Sequence, residues 1–238
     1  MREQLSLPRR ILFFSKQLLE WHKHNTLSFP WRNTREPYRV LLSEILLRKT
    51  TREQVRRVFP AFVAKYPTAE SLSEANPDDI KSQIATLGME HTRARLLREI
   101  AESIVASGGE IPLDKNKLLQ LPGVGEYVAN AVLCFSLGID VPLVDTNAIR
   151  VMQRVFSIKS HKARPREDKA IWSFVASLIP AGKGRLFNVA LLDFAAAVCA
   201  HREPRCTVCP VSSACDYYRR NRSRRVQRNT LEQTQSSK

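Results

Sequence analysis

The chain has 238 residues, long enough for one large domain or two small lobes around a real core. A hydrophobic fraction of 43% and only 8 glycines exclude a disordered chain and favour a globular, helix-rich one. The 38 Lys and Arg against 23 Asp and Glu leave a formal charge of +15, which points to a polyanionic partner, most simply a nucleic acid, with an anionic membrane surface as the rival.

No apolar run approaches the length of a spanning helix and no signal-peptide pattern opens the chain, so a soluble intracellular protein is expected. The first predicted helix runs from Pro8 to His24, with Ile11, Leu12, Phe14, Leu18, Leu19 and Trp21 on its apolar face. Phe29-Pro30-Trp31-Arg32 follows as an extended link, since proline disfavours helix at the residue before it. A helix from Pro37 to Thr50 carries Val40, Leu41, Ile45 and Leu46 as core candidates, with Glu44 among them. Further helices are predicted at Arg52–Lys65, Thr68–Glu74, Pro77–Leu87, Arg93–Ser107 and Asp114–Gln120, each bounded by Pro, Gly or a capping residue. Beyond them come helices from Glu126 to about Leu137, Ala148–Phe156, Arg166–Leu178 and about Lys183 to Val198. No segment alternates with strand period, and the fold class read from the pattern is all-α. From about Arg219 a basic tail is expected to be a solvated, disordered segment that adds salt-sensitive affinity for DNA.

Three features carry chemistry. The turn Leu121-Pro122-Gly123-Val124-Gly125 joins two helices; its glycines permit backbone angles that a side chain would forbid and uncover the amides at the next helix start, a ready place for a phosphate. Twenty residues on stands Asp145, after the apolar Val141–Val144 approach. Asp145 reads either as the N-cap of the helix behind it or as a carboxylate working on a nucleic acid sugar, and its pairing with the glycine turn favours the second. Glu44 is the other acidic candidate. A buried carboxylate is costly unless partnered, and burial favours its protonated, proton-donating form; the alternative is a solvated pair with Arg48 one helical turn away. Arg48 and Lys49 at the end of that helix read either as DNA contacts or as a basic helix terminus.

Cys199, Cys206, Cys209 and Cys215 have the spacing C-x6-C-x2-C-x5-C. Four thiolates in seventeen residues can close round one tetrahedral metal or one cubane cluster; a single C-x2-C pair leans toward iron–sulfur without excluding zinc. Four cysteines leave no open coordination site, so a structural role is expected. Cys134, on the helix after the glycine turn, is expected to be a buried core thiol.

The segments LPGVGEYVANAV and VDTNAIRVMQRVF and the cysteine spacing, in that order, resemble the helix-hairpin-helix DNA glycosylases of the endonuclease III and MutY superfamily over about Phe29 to Cys215. The resemblance implies two helical lobes: a six-helix barrel over about residues 30–139 containing the hairpin, and a lobe formed by 1–29 with 140–238 that holds a [4Fe-4S] loop. It implies that Gly123, Val124 and Gly125, with Arg48 and Lys49, meet DNA and that Asp145 and Glu44 are catalytic. It also makes Cys199, Cys206, Cys209 and Cys215 the cluster ligands.

FPWR followed by PYRVLLSEILLRKTT is similar to the MutY branch. Bifunctional endonuclease III-type enzymes carry a lysine nucleophile two residues after the second hairpin glycine; Tyr127 stands there, and a phenol forms no Schiff base. Tyr127, as a base-pocket residue, together with Leu-Arg-Lys-Thr-Thr, resembles the mismatch-specific thymine glycosylases. About twenty residues follow Cys215, too few for the additional domain of MutY. The expectation is a monomeric, monofunctional glycosylase that removes thymine or uracil opposite guanine from double-stranded DNA. The alternatives are an adenine glycosylase, a glycosylase with lyase activity through another amine such as Lys49, and a DNA-binding module without catalysis.

Overall fold

The structure, a computed structural model, describes residues 6–221; most of the basic tail, from 222 onward, lies outside the described residues. Among the described residues all regular structure is helical, as the pattern required. In chain order the α-helices are α1 (Leu7–Lys23), α2 (Pro37–Leu46), α3 (Arg52–Lys65), α4 (Ala69–Ser73), α5 (Pro77–Ile84), α6 (Glu90–Ala106), α7 (Lys115–Gln120), α8 (Glu126–Val132), α9 (Thr146–Phe156), α10 (Lys169–Ser177) and α11 (Gly184–Ala197). The chain is helical again over 216–221. No helix among the described residues is long and apolar enough to cross a membrane.

Local chemistry sets most boundaries. Pro8 and Pro37 lie in the first turns of α1 and α2, where a missing N–H costs nothing. Thr51 and Gln54 form a reciprocal capping box at α3, and Asn76, Asp114, Asp145 and Asp168 cap α5, α7, α9 and α10. Three expectations are corrected. The helix over Glu44 stops at Leu46, not Thr50, because Lys49 is left-handed (φ 52°) and Arg93 takes up the carbonyls that a further turn would use. Helix α6 begins one turn early, at Glu90, behind a left-handed Met89 (φ 54°). The helix after the glycine turn changes to a π-helical turn at Leu133–Leu137, which opens the hydrogen-bond ladder by one residue.

The chain divides into two compact units, Ser28–Val141 and Met1–Leu27 with Pro142–Lys238. In the first, α2 is apolar all round and buried on every side: Val40, Leu41, Leu42, Ile45 and Leu46 are at most 1% exposed. It is the central helix of that unit, packed among Val55, Phe62, Ile84, Leu97, Leu118 and Val132. In the second, Phe14 and Leu18 of α1 meet Phe156 of α9 and Phe187 and Phe194 of α11, with Phe14 edge-on to Phe156 at 5.3 Å and to Phe194 at 6.4 Å. Leu12, expected on that apolar face, is 71% exposed and lies off it.

Candidate active site

Asp145 sits at the N-cap of α9, half-buried. Its Oδ1 accepts the Asn147 and Ala148 amides at 2.9 and 2.7 Å, and its Oδ2 accepts Asn147 Nδ2 at 2.7 Å. Both oxygens are therefore oriented, and the free N–H groups of the helix start stabilise a negative charge there. The backbone leading into it is fixed too: the Leu143 N–H donates to Oδ1 of the fully buried Asn188 on α11 at 3.0 Å. Capping does not take Asp145 out of use as a reactive group, because the same bonds fix where both carboxylate oxygens point.

Asn147 passes the connection on. Its Oδ1 accepts from Arg150 Nη1 at 2.8 Å, and Arg150 donates from Nε to the Cys199 carbonyl at 3.0 Å and from Nη2 to the Ala195 carbonyl at 2.8 Å. Arg154, one turn further along α9, donates to the carbonyls of Cys199, Ala200 and His201 at 3.3, 2.6 and 2.7 Å and reaches the Cys199 sulfur at 3.6 Å. Its guanidinium lies over the Tyr217 ring, 5.1 Å from the centroid. From the other side, Arg10 of α1 holds the Val155 and Ala214 carbonyls and the Asp216 carboxylate at 2.6, 3.0 and 3.0 Å. The helix that begins at Asp145 and the cysteine loop are one hydrogen-bonded assembly.

The four loop cysteines form no disulfide among the described residues and line one cavity together with Arg154 and Tyr217. Burial pushes the Cys209 thiol up to about 12 and raises Cys215 as well, with the neighbouring cysteines adding to both. Four thiols converging on one cavity suit a positively charged centre, which would hold them as thiolates. Among the described residues no three His, Cys, Asp or Glu side chains come close enough to hold a single metal ion. The lone Cys134 is fully buried, as expected.

In the other unit, Glu44 is 6% exposed, so the expected burial holds and the solvated-face alternative does not. Arg48, one turn later, is half-buried; burial lowers its pKa while the Glu44 charge raises it, so the two side chains do sense each other. The Arg48 guanidinium donates to the Gly123 carbonyl at 2.5 Å. Lys49 is exposed beside it.

The glycine turn is more asymmetric than its sequence suggests. Gly123 is left-handed (φ 66°), and a Cβ there would stand 2.8 Å from Leu96 Cδ1. Gly125 has an ordinary extended backbone (φ −101°, ψ −179°) and open space where a Cβ would be, which corrects the expectation that both glycines serve special angles. Val124 is 6% exposed, and its N–H goes to the Leu121 carbonyl at 3.1 Å, so it pins the turn to the core. The Gly123 and Gly125 amides have no backbone acceptor among the described residues and are the turn's open donors. Tyr127, two residues past Gly125, is half-buried against the core of this unit.

Sequence reasoning missed four contributors. Arg93 is 5% exposed and caps the end of α2; nothing in its local pattern distinguishes it from the surface arginines of α6. Arg150 and Arg154 share a helix face by their spacing of four, a legible signal, but their target lies 45 or more residues away. Met89 combines a left-handed backbone with 52% exposure of an apolar side chain, and the tight Leu87-Gly88-Met89 turn was the available sign.

Comparison with known proteins places the chain in a class of base excision DNA repair proteins. Residues 42–177 match the family described as HhH-GPD superfamily base excision DNA repair protein, and the chain is a member of that superfamily, which includes iron–sulfur proteins related to endonuclease III and MutY. It is 42% identical over 88% of its length to the thymine-DNA glycosylase of Aeropyrum pernix, covering 96% of that protein. It is 40% identical over 90% of its length to the thymine/uracil-DNA glycosylase of Pyrobaculum aerophilum, again covering 96%. Among solved structures it is similar to a thermostable thymine-DNA glycosylase, with a TM-score of 0.85, 36% identity, and coverage of 90% of this chain and 98% of that one.

Proposed function

We propose that this chain is a monofunctional DNA glycosylase that hydrolyses the N-glycosidic bond of thymine or uracil mispaired with guanine. The observation that carries the reading is likeness along nearly the whole chain, on both sides of the glycine turn, to relatives named for thymine and uracil excision. The residues agree with it. Gly123 and Gly125 present open amides to a DNA phosphate, and the exposed Lys49, next in the chain to the Arg48 that bonds the turn, adds positive charge. The target nucleotide is flipped out of the stack, at least cost where the pair is mismatched. Tyr127 lines the base pocket.

Asp145 is the catalytic carboxylate. It stabilises an oxocarbenium-like sugar or directs water to C1′, the division of labour familiar from glycoside hydrolysis. Glu44 supplies a proton toward the departing base, directly or through water. Tyr127 offers no amine for a Schiff base, so the product is an intact abasic site.

Cys199, Cys206, Cys209 and Cys215 are proposed to hold a [4Fe-4S] cluster: all four line one cavity, and their spacing, with a single C-x2-C pair, leans toward iron–sulfur over structural zinc. Such a cluster would supply a rigid centre for the loop, and Arg150 and Arg154 join the loop to the helix of Asp145.

The test is base excision on duplexes containing G:T, G:U, A:8-oxoguanine, A:G and thymine glycol, each with and without alkali. Strand cleavage at G:T and G:U only after alkali is expected. Release of adenine, or cleavage without alkali, overturns the substrate or the monofunctional assignment respectively. Binding without release from any duplex overturns the enzyme.

A further inference from the structure

The two open amides of the turn flank a single peptide unit, the one between Gly123 and Val124. Its N–H donates to Leu121 at 3.1 Å and its C=O accepts from Arg48 Nη2 at 2.5 Å. A peptide plane held at both edges rotates little, and it restricts the flanking planes that carry the Gly123 and Gly125 N–H groups through the shared Cα atoms. Arg48 is itself anchored: Arg93 of α6 donates to the Ile45, Leu46 and Arg48 carbonyls at 2.7, 3.1 and 2.9 Å. Leu96, three residues further along α6, forms the wall against the Gly123 Cα. Helix α6 thus supports both ends of the Arg48–Gly123 bond, and the backbone of Arg48 continues directly from α2, the helix that carries Glu44.

We propose that Arg48 is a positioning residue that sets the Gly123 and Gly125 amides for a DNA phosphate and does not itself ligate the phosphate, so that the phosphate grip is mechanically joined to the helix of Glu44. The sequence suggested a direct DNA contact for this arginine; in the protein alone its guanidinium is bonded to the Gly123 carbonyl inside its own unit. A guanidinium suits the task because its planar fork is held with little loss of freedom, and a charge-assisted bond to a carbonyl is stronger than a neutral one. The proposal rests on the reading of the turn as a DNA-binding element.

The full-length protein and its Arg48→Leu and Arg48→Lys variants are titrated with an undamaged duplex by fluorescence anisotropy over a range of NaCl concentrations. Arg48→Leu is expected to weaken binding about tenfold, the order set by having to reorder one backbone residue on association, with the slope of log affinity against log salt unchanged. Arg48→Lys, which keeps a donor, is expected to recover most of the loss. A slope lower by about one makes Arg48 a phosphate ligand and overturns the proposal; unchanged affinity overturns it too. In parallel, 15N–1H spectra of the free proteins are compared. The Gly123 and Gly125 amide signals are expected to move in Arg48→Leu, with thermal unfolding little altered, and to respond to inorganic phosphate in the wild type. Amides that stay in place overturn the proposal whatever the affinity does. Amides that move in a chain whose wild type binds no duplex leave Arg48 setting the turn and refute the DNA reading instead.

Discussion

Asp145→Asn separates the two tasks assigned to this side chain. In the folded protein Oδ1 accepts two amides of α9, and Oδ2 accepts the Asn147 side-chain amide at 2.7 Å. Asparagine caps helices about as well as aspartate, so the Oδ1 bonds persist. The substituted NH2 meets the Nδ2 donor of Asn147, and one side-chain hydrogen bond is lost, at a cost of about 0.5–1.5 kcal/mol. Removing the negative charge from the helix start adds about 0.3–1 kcal/mol. The sum, about 0.8–2.5 kcal/mol, lowers the melting temperature of a chain of this size by about 2–10 °C. Binding of a G:T duplex is expected to survive. Excision is expected to fall at least about a hundredfold, the scale on which one preorganised charged group acts at a transition state. The assay is single-turnover excision with alkali development, run beside anisotropy on the same duplex and a thermal melt followed by circular dichroism. Excision within tenfold of wild type, in a variant whose melting temperature has dropped by that amount, would show that Asp145 is a cap and nothing more. A much larger drop in stability together with lost binding would show that the capping estimate, and the separation built on it, is wrong.

Other consequences follow from the same geometry. Glu44→Gln keeps the buried shape and is expected to fold with near-normal stability but to excise poorly; unchanged excision removes Glu44 from the proton path. Gly123→Ala forces a Cβ against Leu96 at a left-handed position and is expected to cost about 1–3 kcal/mol, whereas Gly125→Ala leaves folding intact and weakens duplex binding, which melts and anisotropy distinguish. Cys209→Ser is expected to lower bound iron and acid-labile sulfide in the purified protein and to reduce thermal stability; iron content equal to wild type refutes its place as a ligand. The Ser160 hydroxyl holds the Asp168 carboxyl below the usual carboxylate range, against the opposing effect of burial, and the Ala170 and His161 amides add to it. A depressed folded pKa gives stability that is present above the unfolded value, about 4, and is lost as pH falls below it. Melting temperature should therefore drop between about pH 5 and pH 3, and Asp168→Asn should flatten part of that drop; an identical pH profile in the variant contradicts the assignment.

Much of this molecule is legible in its sequence because much of it is local. Helical periodicity gave the all-α class; Pro37 marks a helix start through its fixed backbone angle, and Thr51 with Gln54, Asn76, Asp114 and Asp145 do so through bonds that span two or three residues. The cysteine spacing and the glycine turn are compact in sequence for the same reason, since a loop that brings four thiols to one cavity, or a turn that joins two helices, needs few residues. Glu44 was readable as buried because apolar neighbours surround it on a helix that is apolar all round.

What escaped the sequence depends on partners far along the chain. Whether the two turn glycines are equivalent was decided by Leu96 and Arg48, which crowd one and leave the other open. The early end of α2 was decided by Arg93, 45 or more residues away, which satisfies carbonyls that the helix would otherwise have kept. The aim of Asp145 depends on Asn188, and its connection to the cysteine loop depends on Arg150 meeting the Cys199 carbonyl across 49 residues. The sequence by itself determined which groups are present and where helices begin; only the tertiary structure decided which donor meets which acceptor, because a buried polar group must find a partner wherever the packing brings one within reach.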